Sequence, residues 1–167
     1  DHCVFVTGGA GFIGSAVIRE LLRSTEVQLV NIDSLTYAGN LETLSEIVDH
    51  GRYSFSQTDI RDQEALEKLF SKHQPLAVMH LAAESHVDRS IDGPGAFLET
   101  NVMGTYTLLQ TVRGYLDTLD SVRSTDFRFH HVSTDEVYGA LGLDGVFTES
   151  SPYQPRSPYA ASKAASD

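Results

Sequence analysis

The 167 residues carry 12 Lys and Arg against 23 Asp and Glu, a net charge of −11, with 41% hydrophobic and 21% charged residues. That length suits one domain with a substantial core, and the composition excludes a disordered or fibrous chain. The acidic balance argues against a nucleic-acid surface, the lack of an apolar run of about 18 residues against a membrane helix, and the single cysteine, Cys3, against an intramolecular disulfide or a cysteine-built zinc site. A lone cysteine fits a reducing compartment, so a cytoplasmic setting is expected. The pattern begins almost directly in a strand, and no signal peptide is expected.

In chain order, short apolar runs predict strands over Val4–Thr7, Val27–Ile32, Tyr53–Gln57, Leu76–Leu81 and Phe127–Ser133. Helical patterns fall between them, over Phe12–Ser24, Leu41–Asp49, Asp62–His73 and Gly95–Leu119, with a last helix opening near Pro158. Asp62 suits an N-cap, with Ala65, Leu66, Leu69 and Phe70 on one face behind it. The alternation predicts an α/β fold with a doubly wound parallel sheet covered on both sides. Residues 142–158 form the longest expected loop. The last helical pattern runs to Asp167 without a stop signal and there is no initiator Met. The chain is therefore expected to be the N-terminal part of a longer enzyme, with the apolar face of its last helix lacking a partner.

Between the first strand and first helix lies Thr7-Gly8-Gly9-Ala10-Gly11-Phe12-Ile13-Gly14, with glycines spaced Gly8-x-x-Gly11-x-x-Gly14. Such spacing serves a tight turn, close backbone approach to a pyrophosphate, and tight packing of helix on strand. The free N–H groups and the positive end of the helix dipole would then hold the phosphates. A glycine triplet alone is equally a tight strand-to-helix turn. Here Asp33 follows about 20 residues on, at the end of the second strand, where a carboxylate meets ribose hydroxyls. With Ser34 next and no Arg, a 2′-phosphate is disfavoured, so NAD is expected over NADP. Asp59 and Ile60, after the third strand, suit an adenine, although a helix-initiating aspartate reads equally well. Leu81, Ala82 and Ala83 end the fourth strand with small residues past which a cofactor can run.

Tyr159 and Lys163 are four apart and share a helix face, and a phenol needs such a cation because its ordinary pKa is near 10. Ser133-Thr134-Asp135-Glu136 ends the fifth strand at the sheet edge where open α/β sheets place ligands. The bland alternatives are a surface helix pair and a capped turn. His130 and His131 point to opposite faces of a strand, so no metal site is expected.

Taken together, Thr7–Gly14, Leu81-Ala82-Ala83-Glu84-Ser85-His86-Val87-Asp88-Arg89-Ser90, Ser133-Thr134-Asp135-Glu136-Val137-Tyr138-Gly139 and Tyr159-x-x-x-Lys163 resemble the extended short-chain dehydrogenase/reductases. The two acids after Thr134, with the run from Asp33 to Asn40, are similar to the family's nucleotide-sugar dehydratases rather than its epimerases. The resemblance implies a Rossmann-type domain over residues 1–167 and dehydration of a nucleotide-linked glucose to a 4-keto-6-deoxy sugar. It implies Tyr159 as base at the C4 hydroxyl, Thr134 bonding that oxygen, and Lys163 holding the nicotinamide ribose and lowering the Tyr159 pKa. Glu136 would remove the C5 proton. Asp135, kept protonated by its acidic neighbour and partial burial, would protonate the departing C6 hydroxyl. Gly8, Gly11, Phe12, Ile13, Gly14, Asp33, Thr36, Asp59, Ile60, Leu81, Ala82, Ala83, Thr100, Tyr159 and Lys163 are the implied NAD contacts. Ser85 and Thr134 are the implied sugar contacts, and Asn101 reads as structural. The stripe Phe97, Leu98, Val102, Leu108, Leu109 and Val112 is expected to face the core on one side and a second copy, in a homodimer, on the other. Another nucleotide-sugar epimerase or dehydratase, or a non-catalytic NAD-binding fragment, remain the alternative readings.

Overall fold

A computed structural model describes residues 2–142 and 144–167. Five parallel strands, β1 (Cys3–Thr7), β2 (Gln28–Asp33), β3 (Tyr53–Gln57), β4 (Ala77–His80) and β5 (Arg128–His131), form one sheet in the order β3-β2-β1-β4-β5. β1 pairs with β2 on one side and β4 on the other, so the crossovers leave it in opposite directions. That switch point opens a crevice beyond the carboxyl ends of the strands. The expected doubly wound α/β architecture is the observed one.

Side chains alternate along β1, so Phe5 and Val6, both fully buried, enter cores on opposite faces. Phe5 packs with Val30, Ile32 and Val78 beneath α2 (Gln63–His73) and α5 (Thr105–Leu116), which contribute Leu66, Phe70, Leu108 and Val112. Val6 and Leu29 pack with Ile18 and Leu22 of α1 (Phe12–Ser24) and with Leu44. Asp62 caps α2 as expected, its Oδ1 accepting from the Ala65 N–H at 3.1 Å.

Several boundaries differ from the sequence pattern. The expected helix Leu41–Asp49 is a 3₁₀ helix, Leu41–Ile47, started by Asn40, whose side chain accepts from the Glu42 N–H. The helix expected over Gly95–Leu119 is instead a succession of shorter pieces. Helix α3 (Val87–Asp92) precedes it and ends at Gly93, because Pro94 restarts the chain as the first residue of α4 (Pro94–Phe97). A π-helical stretch, Leu98–Gly104, then leads into α5, and α6 (Ser121–Asp126) follows. The end of the π stretch packs closely on the loop after β3. A Cβ on Gly104 would lie 2.6 Å from Ile60 Cδ1, so the missing side chain lets this helix settle on the loop after β3.

β5 stops at His131, two residues short of the expected end, and Asp135–Tyr138 turn into a short 3₁₀ helix. Helix α7 (Pro158–Ser166) opens as expected, with Ser157 accepting from the Ala160 N–H at 3.0 Å. The expectation that its face lacks a partner is corrected: Ala160, Ser162 and Lys163 are buried, and α7 packs on the π stretch, α3 and α4.

Candidate active site

The glycine turn sits at the switch point because only backbone fits there. Gly8 has φ +70° and a Cβ on it would lie 2.7 Å from the Ala82 nitrogen, while a Cβ on Gly14 would overlap the Gly8 carbonyl oxygen. Gly11 is the residue before α1, whose first N–H groups face the crevice without a capping side chain. The turn is tied to β2 by Asp33, which is buried and accepts from the Ala10 N–H at 2.9 Å and the Leu35 N–H at 2.8 Å.

A crevice of about 530 Å³ lies over this turn. Gly8, Gly11, Phe12, Ile13 and Gly14 line its floor, and Phe12 and Ile13 are exposed there. Asp33, Thr36, Asp59 and Ile60 line one flank. Leu81, Ala82, Ala83, Ser85 and Thr100 line the other, and Tyr159 with Lys163 close the far end. Every residue read from sequence as a cofactor contact, together with Ser85, thus converges on one cavity. The missing Cβ atoms, the uncapped N–H groups and the buried carboxylate fit a dinucleotide.

At the far end, Tyr159 is set against Phe97, ring centroids 6.4 Å apart and near-perpendicular. Burial pushes the Tyr159 phenol above its ordinary pKa, the nearby Thr134 hydroxyl pulls it back, and the Glu136 and Asp135 carboxylates push it up again. The expected lowering by Lys163 is not among these influences. Lys163 is buried and its Nζ donates to the Val132 carbonyl at 2.8 Å, while burial lowers its own pKa. Asp135 is exposed rather than partly buried, because it begins the 3₁₀ turn just beyond the sheet edge; Glu136 is half-buried beside it. Thr134, Asp135 and Glu136 do not line the crevice itself and reach it through Tyr159.

Two networks escaped the sequence reading. Thr7 Oγ1 accepts from the Leu81 and Ala82 N–H groups, both at 3.2 Å, and lies 2.7 Å from His80 Nδ1. Its one proton therefore goes to Nδ1, leaving His80 Nε2–H to donate to Thr105 Oγ1 at 2.9 Å. His80 is buried and its pKa is pushed down to about 3, chiefly by desolvation and then by His131 and Lys163. Asn101, read as structural, is buried: Oδ1 accepts from the Glu84 N–H at 2.8 Å, and Nδ2 donates to the Glu84 carbonyl at 2.9 Å and to Ser162 Oγ at 2.8 Å.

Arg61 was missed as a lining residue. Its Nη2 lies 2.7 Å from Asp59 Oδ2 and its Nη1 3.1 Å from Glu99 Oε2, and the guanidinium holds the Asp59 carboxyl below its usual range. The Asp-x-Arg spacing at a helix start was the available signal. His86 begins α3 without making a capping bond. Among the described residues no group of His, Cys, Asp or Glu has the arrangement of a metal site, and no helix is long and apolar enough to cross a membrane.

This sheet order, glycine turn and Tyr-x-x-x-Lys helix at the carboxyl edge define a Rossmann-type domain of the extended short-chain dehydrogenase/reductase class. The chain belongs to the family described as GDP-mannose 4,6 dehydratase, whose model matches residues 5–167. It is 58% identical over 165 residues to a dTDP-glucose 4,6-dehydratase of Neisseria meningitidis, covering 98% of this chain and 46% of that protein. It is 56% identical over 173 residues to dTDP-glucose 4,6-dehydratase 1 of Escherichia coli, covering 98% and 48%. The fold superposes with a TM-score of 0.87 on a dTDP-glucose 4,6-dehydratase from Streptomyces venezuelae with NAD and TYD bound, at 47% identity, covering 98% of this chain and 49% of that one. The chain spans about half the length of the curated relatives it matches.

Proposed function

We propose that the protein carries out NAD-dependent dehydration of a nucleotide-linked glucose, dTDP-glucose, to its 4-keto-6-deoxy sugar. The observation that carries this reading is that Tyr159, at the end of the crevice, lies within reach of the influence of Thr134, Asp135 and Glu136 on the turn after β5. The names and bound NAD of the similar proteins support it. Residues 1–167 act as the NAD-binding domain. The Gly8–Gly14 backbone and the first turn of α1 hold the pyrophosphate, Asp33 the adenosine ribose, and Asp59 with Ile60 the adenine. NAD⁺ held there would supply a hydride acceptor for the sugar C4 and a hydride donor for C6, where C5 takes back a proton, so the reaction has no net redox change.

The side chains move the protons. Tyr159 takes the C4 hydroxyl proton while Thr134 bonds the same oxygen. The ketone left at C4 acidifies C5–H, which the Glu136 carboxylate removes. Asp135, which takes up a proton beside the Glu136 carboxylate once the bound sugar covers it, gives that proton to the departing C6 hydroxyl, completing loss of water across C5 and C6. Lys163 turns from the Val132 carbonyl toward the nicotinamide ribose, bringing its charge to the phenolate. Ser85 contacts the sugar.

A homodimer in the cytoplasm is part of the same reading. Along the α4–π–α5 run, Phe97, Leu108 and Val112 are buried while Leu98, Met103, Tyr106 and Leu109 stay exposed, an apolar face suited to a second copy.

The test is turnover of dTDP-glucose by the full chain and by Glu136→Gln. The parent forms the 4-keto-6-deoxy product. The variant oxidises C4 but stalls before losing water, with dehydration at least about 100-fold slower. Unimpaired dehydration by Glu136→Gln overturns the role given to Glu136, and a C4-epimerised product places the protein among epimerases.

A further inference from the structure

Tyr37 lies in the loop after β2 and reaches across the crevice to the loop after β4. Its hydroxyl donates to Glu84 Oε2 at 3.1 Å, and the Arg89 guanidinium, from α3, lies 3.8 Å from the centre of its ring. Thr36 and Ala38, on either side of Tyr37, line the crevice, as does Glu84. Tyr37 itself is about half exposed and is not part of the lining, so its side chain joins the two lips from outside.

The two ends of this contact are held in different ways. Glu84 is a fixed post, because Asn101 holds both its N–H and its carbonyl and is itself bonded to Ser162 of the Tyr159–Lys163 helix. The Tyr37 lip carries Leu35 at φ +55°, a left-handed conformation that a branched side chain adopts at a cost, held by the Asp33 carboxylate accepting from its N–H.

We propose that Tyr37, bridged to Glu84 and Arg89, is a strap that closes the dinucleotide crevice and slows cofactor exchange. The inference rests on the dinucleotide reading given above and adds to it a kinetic function for residues outside the lining. A cycle that returns its hydride has no need to release the cofactor between turnovers. Slow exchange therefore costs such an enzyme no rate and keeps the reduced dinucleotide from escaping midway.

The experiment is stopped-flow displacement of NADH, read by its fluorescence, from the full chain by excess NAD⁺. Tyr37→Phe removes the hydroxyl bond to Glu84 and leaves the ring under Arg89; Tyr37→Ala removes both contacts. The expected result is NADH release about threefold faster in Tyr37→Phe and about tenfold faster in Tyr37→Ala, with association also faster, equilibrium affinity within about threefold and an unchanged Tm. Release from Tyr37→Ala within about twofold of the parent overturns the strap, as does weaker binding through slower association, which would make Tyr37 a binding contact. A parent chain that does not bind NADH overturns the dinucleotide reading itself.

Discussion

Asn101 Nδ2 donates to Ser162 Oγ at 2.8 Å, joining the π-helical stretch to α7, and the Ser162 hydroxyl in turn donates to the Tyr159 carbonyl at 2.7 Å. The same amide holds the Glu84 backbone, so one buried side chain registers the crevice wall against the helix that carries Tyr159 and Lys163. Asn101 lies within the π turn, and its side chain is buried there.

Replacing Asn101 with Leu leaves the Glu84 N–H, its carbonyl and the Ser162 hydroxyl without their buried partner. The expected cost is about 3 kcal/mol in urea denaturation, since each unsatisfied buried group costs about 1–3 kcal/mol. Asn101→Asp retains the acceptor for Glu84 N–H and is expected to fall between the two. Equal stability of Asn101→Leu and the parent would remove the amide from this role.

The glycine turn yields a second prediction. Gly14→Ala places a methyl against the Gly8 carbonyl, which is backbone and cannot step aside. We expect a loss of about 1–3 kcal/mol and NAD affinity reduced by at least about tenfold, measured by calorimetry. Gly114 on α5 has open space where its Cβ would be, so Gly114→Ala is the control and is expected to gain a few tenths of a kcal/mol, up to about 1. Comparable NAD binding by Gly14→Ala would contradict the close approach.

His80 gives the pH dependence of stability. Its pKa is pushed from the ordinary 6.5 to about 3 in the folded chain, so below pH 6.5 the unfolded state binds a proton that the folded state refuses. Stability from this group is intact above the unfolded pKa and is lost as pH falls through the window from 6.5 to about 3. Between pH 7 and 5 the loss approaches about 2 kcal/mol, from 1.36 kcal/mol per proton and pH unit. His80→Gln, less stable at pH 7, is expected to show a correspondingly flatter profile in urea titrations; parallel profiles would contradict the neutral, buried His80.

Thr134→Val bears on the Tyr159 phenol. The Thr134 hydroxyl favours the phenolate, so removing it raises the phenol pKa beyond what burial already does. Activity that depends on the phenolate rises with pH, so the acid limb of the rate profile is expected to move to higher pH, with a rate loss of about tenfold at pH 7. An unmoved limb would detach Thr134 from the phenol.

Much of this site is legible in sequence because its signals are local. The glycine turn, Asp33 at the end of a strand and Tyr159 four residues before Lys163 each state their geometry within one element and its neighbour. What is not legible depends on pairs distant in sequence. Thr7 meets His80 across β1 and β4, and Asn101 meets Ser162 through a π turn that a strict 3.6-residue period reads as ordinary helix. Gly93-Pro94 bounds the expected helix on its N-terminal side, and the short helix α3 before that break is too brief to show a period. The exposure of Asp135 and the turning of Lys163 to Val132 follow from where the strand stops, two residues before the pattern does, and strand ends are where periodicity is weakest.

The proposed chemistry runs C4 oxidation, loss of water and hydride return in one site with no net redox change. Incubating the full chain with dTDP-glucose deuterated at C4 tests this directly by NMR of the product. The expected product is a 4-keto-6-deoxy sugar with the deuterium at C6 and no accumulated NADH; deuterium still at C4, or released into the reduced cofactor, overturns the proposed cycle.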